Sequence, residues 1–125
     1  MKKFLTPVLV SLFLLALAEG VHLRAEETPA DVTLKGTVVD MHCYVTHGIH
    51  DAAHTACSNA CIARGVPAGL LAEDGTLYVL FEQKPFSVKE RVAGLADVPV
   101  TVTGTPVIRS GIKGLQIKTI DKEVK

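Results

Sequence analysis

The sequence lacks several features that would assign a function class directly. It has no run or stripe of Lys and Arg, which a nucleic-acid partner requires for neutralising clustered phosphates. None of the serines after the N-terminal leader lies in a G-x-S-x-G motif, so nothing indicates a serine hydrolase. No internal repeat or low-complexity segment is present. The sequence therefore predicts no nucleic-acid partner, and it favours a binding protein over an enzyme.

Sulfur-containing residues are also scarce, and their spacing excludes several familiar centres. The chain has three cysteines, an odd number, with no C-x-x-C pair and no C-x-x-C-H motif for covalent haem attachment. Their C-x13-C-x3-C spacing is not that of a zinc finger. Met41 is the single methionine after the leader and precedes Cys43, so the late Cys-His-Met cluster of a blue-copper site is missing.

Only one long uncharged run exists, and it lies at the N-terminus. Phe4–Ala18 comprises fifteen residues, fewer than the roughly 20 that a membrane-spanning helix needs. With two lysines before it and the A-x-A site at Ala16–Ala18, it predicts a cleaved signal peptide at residues 1–18, with cleavage possible as late as residue 25. We therefore expect a periplasmic or secreted protein that is not membrane-bound after cleavage. A flexible lead-in at residues 19–31 and one domain at 32–125 would follow.

Hydrophobic alternation in the mature chain predicts a mainly β fold. Strand patterns cover 32–41, 69–72, 76–81, 98–104 and 112–120, with a helix at 51–64 and a short helix at 86–95. An Asp-Gly turn signal joins the second and third strands. This order predicts a small OB-like five-stranded barrel, with a helical insert after strand 1 and a short helix between strands 3 and 4. Another small β-barrel or a sandwich is the alternative.

All three cysteines and four of the five histidines fall within twenty residues, between His42 and Cys61. On the predicted helix, His54, Cys57 and Cys61 are spaced i, i+3 and i+7, so they share one face. Cys43 is expected at the end of the first strand. A strand end and a helix face can deliver ligands from two directions, as tetrahedral coordination requires.

Imidazole and thiolate together suit transition metals, with zinc and copper the leading candidates. The predicted metal ligands are Cys43, His54, Cys57 and Cys61, with His47 as a substitute or fifth ligand. Asp40 and Asp51 near the cluster could form a carboxylate site or hydrogen-bond to the histidines, but the favoured interpretation is that they are helix caps or solvated charges. The metal ion is the predicted partner, with another exported protein as a further possibility.

Two other readings of the cluster stay open. A disulfide from Cys43 to Cys57 or Cys61 would attach the insert to the barrel and leave one free thiol. The protein would then be an OB-like module that binds a protein, peptide or glycan. A thiol-redox or metal-assisted enzyme is the third reading, but no residue is selected as an acid or base.

The Cys/His segment also resembles a group of small exported bacterial proteins of no assigned activity. The shared pattern runs G-x-V-V-D at Gly36–Asp40, C-Y-x-x-H-G at Cys43–Gly48, H-x-x-C-x-x-x-C at His54–Cys61, and G-x-P at Gly65–Pro67. The match covers about residues 34–81. The resemblance implies export, an OB-like barrel and a site in the Cys/His run, but it implies neither a reaction nor a particular metal.

Overall fold

The computed structural model describes residues 29–83 and 87–124. The predicted signal peptide, most of the lead-in and the start of the predicted 86–95 helix lie outside these residues. No helix within the two described ranges is long and apolar enough to cross a membrane. The elements are β1 (Val32–Asp40), α1 (Met41–His47), α2 (Thr55–Ala63), β2 (Ala68–Ala72), β3 (Leu77–Glu82), α3 (Val88–Arg91), β4 (Pro99–Arg109) and β5 (Ile112–Lys122).

The five strands form a closed barrel in the order β1-β2-β3-β5-β4. β1 pairs antiparallel with both β2 and β4 and so closes the barrel, whereas β3 and β5 are parallel. The remaining pairs, β2 with β3 and β4 with β5, are antiparallel. The predicted mainly β, five-stranded OB-like barrel is confirmed, as are the helical insert after strand 1 and the short helix between strands 3 and 4.

The barrel interior is filled by the aliphatic side chains that the strand patterns predicted. On β4, Val100 and Val102 are fully buried while the residues between and beside them are more exposed, so the alternation faces inward as expected. Each fully buried aliphatic side chain of this size stabilises the fold by roughly 1.5–3 kcal/mol relative to exposure. The core comprises Val38, Ile62, Ala68, Leu70, Leu80, Val92, Ala96, Val100, Val102, Leu115 and Ile117.

Two glycines permit the close strand contacts that closure needs. A Cβ at Gly36 would lie 2.3 Å from the Leu71 carbonyl oxygen, and one at Gly104 would lie 2.2 Å from that of Gln116. The register between β4 and β5 also shifts at Thr103/Gly104, which marks a bulge where the strand bends. These positions exclude any larger residue unless the strands move apart.

The first strand ends earlier than its sequence pattern predicts, which changes where Cys43 lies. Asp40 Oδ1 accepts hydrogen bonds from the backbone N–H groups of His42 and Cys43, both at 3.0 Å. This capping starts α1 directly after β1, so Cys43 is a helical residue and not the end of a strand. Gly48, with φ of 69°, ends α1 after seven residues.

The second helix begins later than the sequence suggested. Residues 51–54 form a turn in which the backbone N–H of His54 donates to Asp51 Oδ1 at 3.1 Å, and α2 starts at Thr55. Asp51 therefore caps the turn rather than the helix. The helix between strands 3 and 4 is also shorter than predicted and ends at Arg91, because the chain turns at Val92–Gly94.

Candidate metal centre

The helical insert is fixed to the barrel by both of its helices. The backbone N–H of Met41, at the start of α1, donates to the Pro67 carbonyl just before β2 at 3.0 Å. In α2, Ile62 enters the barrel core, and Asn59 Oδ1 accepts from the backbone N–H of Ala96 at 3.3 Å. The side chains that α1 and α2 present to each other are therefore held by contacts with three parts of the barrel.

Two overlapping groups of metal-ligating atoms lie where β1, α1 and α2 meet. In the outer ligand set, one donor atom from each of Cys43, His54 and Cys57 lies within 4.8 Å of the other two. In the inner ligand set, the same limit holds for Asp40, Cys43 and Cys61. Cys43 belongs to both sets. The structure thus contains Cys/His groups that can hold a metal ion.

The sequence-predicted donors are distributed over these two sets rather than gathered in one. Cys43, His54 and Cys57 come together as expected, but Cys61 joins Cys43 on the side of Asp40. The four predicted ligands, three cysteines and one histidine, therefore do not form a single group in the structure. The reason is the position of Cys43, which faces α2 from a helix and not from the end of a strand.

The other histidines within residues 29–83, which are His42, His47 and His50, lie outside both sets. His47 is exposed in the last turn of α1, and its ring packs edge-on against His42 with centroids 6.2 Å apart. His50 is exposed and contacts the Tyr44 ring at 5.5 Å. The structure therefore does not bring the fifth predicted ligand, His47, to the other four.

Asp40 is a donor that the sequence interpretation considered but did not include among the predicted ligands. Asp40 caps α1, as the sequence predicted, but the cap uses only its Oδ1 atom. The side chain is 2 % exposed, and its second oxygen, Oδ2, is buried without a hydrogen-bond partner of normal geometry. The signal that could have identified it is an aspartate three residues before a cysteine, at a strand-to-helix junction.

The imidazole ring of His54 also has a nitrogen atom without a hydrogen-bond partner. Its Nε2 atom is buried and makes no hydrogen bond. Leaving a buried polar atom unpaired costs about 1–3 kcal/mol, and most buried polar atoms in proteins are paired. A bound metal ion would satisfy the imidazole of His54 in the outer ligand set and the free oxygen of Asp40 in the inner one.

The surroundings raise the pKa values of the Cys43 and Cys57 thiols. The nearby Asp40 carboxylate and burial raise the pKa of Cys43, which is 8 % exposed, to about 11. Desolvation of its sulfur and the neighbouring Cys61 thiol raise the pKa of Cys57, although the residue as a whole is exposed. A metal must therefore displace protons to bind these sulfurs.

One cation contacts the cluster directly. Arg64 Nη2 donates to Cys61 Sγ at 3.6 Å, while Arg64 Nε donates to the carbonyl of Ala60 at 3.2 Å. The second bond fixes the guanidinium beside the last turn of α2. Arg64 is therefore a neighbour of the cluster that its position in the sequence did not suggest.

The donor chemistry and spacing fit a thiolate-rich transition-metal site. All three cysteines are free thiols in the structure. With metal–sulfur bonds of about 2.3 Å, two sulfurs on a tetrahedral zinc ion lie about 3.8 Å apart. Donor atoms already within 4.8 Å of one another need to approach by at most about 1 Å. Thiolate and imidazole ligands favour transition metals over calcium and magnesium, which prefer oxygen.

Comparisons with known proteins add no assignment to this geometry. No protein-family model, no curated protein and no solved structure matches the chain.

Proposed function

We propose that this is an exported protein that binds a transition metal, zinc or copper, through its Cys/His cluster. One observation carries the proposal: two ligand sets share Cys43, and each contains a buried polar atom with no hydrogen-bond partner. A metal ion supplies the missing partner in both cases.

The export part of the proposal is supported by the sequence. The uncharged run Phe4–Ala18, its preceding lysines and the A-x-A site have the properties of a signal peptide. An oxidising compartment favours disulfides, and a bound metal would protect the three thiols from pairing. The intact mass of the exported protein should correspond to a chain that starts near Glu19 or Glu26. Recovery of the full-length chain in the membrane fraction would contradict export with cleavage.

Metal binding is tested with reduced, metal-free protein, titrated with Zn(II) and, anaerobically, with Cu(I). The wild type should bind at least one of these ions tightly, and Cys43→Ser should remove tight binding because both ligand sets lose their shared sulfur. The matched controls are His42→Ala and His47→Ala, which remove exposed imidazoles of the same segment and should leave binding unchanged. Loss of affinity in His47→Ala would instead restore His47 as a ligand.

A thiol count on the exported material separates the metal from the disulfide reading. If a metal is bound, removing it with a chelator under anaerobic, denaturing conditions should reveal three reactive thiols. One free thiol, together with equally weak metal binding in the reduced wild type and Cys43→Ser, would refute the proposal. That outcome would favour the OB-like binding module with a disulfide between the insert helices.

A further inference from the structure

We propose that the cluster holds two divalent metal ions bridged by the thiolate of Cys43, a refinement that rests on the proposed function. The outer ion would be bound by Cys43, His54 and Cys57, and the inner ion by Asp40, Cys43 and Cys61. The geometry points to this because the five donors form two sets of three with a single residue in common. A mononuclear site would instead gather its donors in one set.

Each ligand set contains its own unsatisfied atom. His54 Nε2 is the free atom of the outer set, and Asp40 Oδ2 is the free atom of the inner set. A single ion in the outer set satisfies the histidine but does not contact the aspartate, and a single ion in the inner set does the reverse. Two ions would bind both atoms at once.

The charges of the donors are compatible with two divalent ions. Four of the five donors are anionic when they bind a metal, namely Asp40 and the three cysteines, whereas the imidazole of His54 is neutral. Two divalent ions neutralise these four charges. Among the described side chains, only Arg64 has a cationic group hydrogen-bonded to one of the donors.

A shared sulfur also gives an acceptable distance between the ions. Cys43 Sγ at about 2.3 Å from each ion allows a separation of about 3.5–4 Å, which is the usual spacing in two-metal sites. Each ion then has three protein ligands, and its fourth position is open to water or to an external ligand. No oxidation or reduction is involved; each bound thiolate releases its proton to solvent.

The two ligand sets differ in exposure, so the two ions should be distinguishable. Cys57 in the outer set is exposed, whereas Asp40 in the inner set is 2 % exposed. The outer ion therefore faces solvent more closely and should exchange faster with an added chelator. Cys61 is intermediate in exposure, and Arg64 lies over it.

The test is the stoichiometry of Co(II) and Zn(II) binding to the reduced, metal-free protein under anaerobic conditions. Native mass spectrometry with Zn(II) should show two ions per wild-type chain. With Co(II), the thiolate charge-transfer absorbance should rise to two equivalents. The electron paramagnetic resonance signal should grow with the first equivalent and decrease with the second, because a bridging thiolate couples the two spins.

Variants that remove one ligand set should retain one ion. Cys57→Ser should keep the inner ion, Cys61→Ser should keep the outer ion, and Cys43→Ser should keep neither. His54→Gln and Asp40→Asn provide a second, conservative variant for each set, and circular dichroism checks that each variant is folded. His42→Ala is the matched control and should bind two ions.

The outcomes distinguish this inference from the function on which it rests. A wild type that binds no ion tightly overturns both. A wild type that saturates at one ion, with the Co(II) resonance signal undiminished at excess metal, overturns the dinuclear centre and leaves the metal-binding function intact. Two ions that both survive in Cys43→Ser would also overturn the bridge, since the two sites would then be independent of the shared sulfur.

Discussion

Replacing Val100 by aspartate should unfold the barrel. Val100 lies near the start of β4, is 0 % exposed, and belongs to the core with Val102 and Leu115. The substitution removes the packing of a buried isopropyl group, which is worth about 2–3 kcal/mol, and buries a carboxylate with no partner, which costs several kcal/mol more. The sum is comparable to the roughly 5–15 kcal/mol by which a typical domain is stable.

Thermal and urea unfolding of the reduced, metal-free protein measure this effect. Val100→Ala isolates the packing loss and should lower the free energy of unfolding by about 2–3 kcal/mol while leaving a cooperative transition. Thr103→Asp, on the same strand but with its hydroxyl in an exposed hydrogen bond to Thr33, should cost only about 1 kcal/mol. A Val100→Asp protein that melts at the wild-type temperature would refute the inward orientation of β4.

Three further substitutions test the cap, the strand contacts and the surface charges. In the metal-free protein, Asp40→Ala should be about 0.5–2 kcal/mol less stable than Asp40→Asn, because both remove the buried charge but only Asn keeps the α1 cap; equal melting temperatures for the two would contradict the cap. Gly104→Ala should cost about 1–3 kcal/mol in urea unfolding because its Cβ meets the Gln116 carbonyl, and an unchanged midpoint would contradict the close contact. Hydrogen bonds from Lys35 and Thr101 lower the pKa of Glu123 below 4.5, so the ionised side chain stabilises the fold fully above that pH, and this stabilisation is lost as the pH falls further. Glu123→Gln should therefore make the free energy of unfolding less dependent on pH in that range. An unchanged pH profile would contradict the ion pair.

The barrel could be predicted from the sequence because its strands carry local signals. The alternation around Val100 and the Asp74-Gly75 turn indicate where strands lie and which are joined by a hairpin. The order of helices and strands then matched one known architecture. The pairing of β1 with β4, which closes the barrel, followed from that architecture rather than from any residue pattern.

The candidate site was predicted less completely because its geometry depends on one local competition. The residues before Asp40 favour a strand, and the same preference extended to Met41 suggests that Cys43 ends that strand. The side chain of Asp40 instead binds two backbone N–H groups and turns the chain into a helix. That single cap divides the donors into two sets and brings the aspartate itself into one of them.

Proximity in sequence also made His47 a candidate ligand. It lies only four residues after Cys43, and α1 ends at Gly48 immediately afterwards. Residues spaced i and i+4 share a helix face, yet the ring of His47 packs against that of His42. Spacing alone does not say which rotamer such a side chain adopts.

The closure of the barrel by β1 and β4 has a consequence for the order of folding. Val32 pairs with Gly104, so the strand that ends at Asp40 finds one of its two neighbours only when most of the chain is present. Pairings between such distant segments form slowly. All five donors, from Asp40 to Cys61, emerge before β4 does. In an oxidising compartment, the thiols would therefore be exposed to wrong pairing until the last two strands arrive, and the supply of metal or reductant during that interval would determine the yield of native protein.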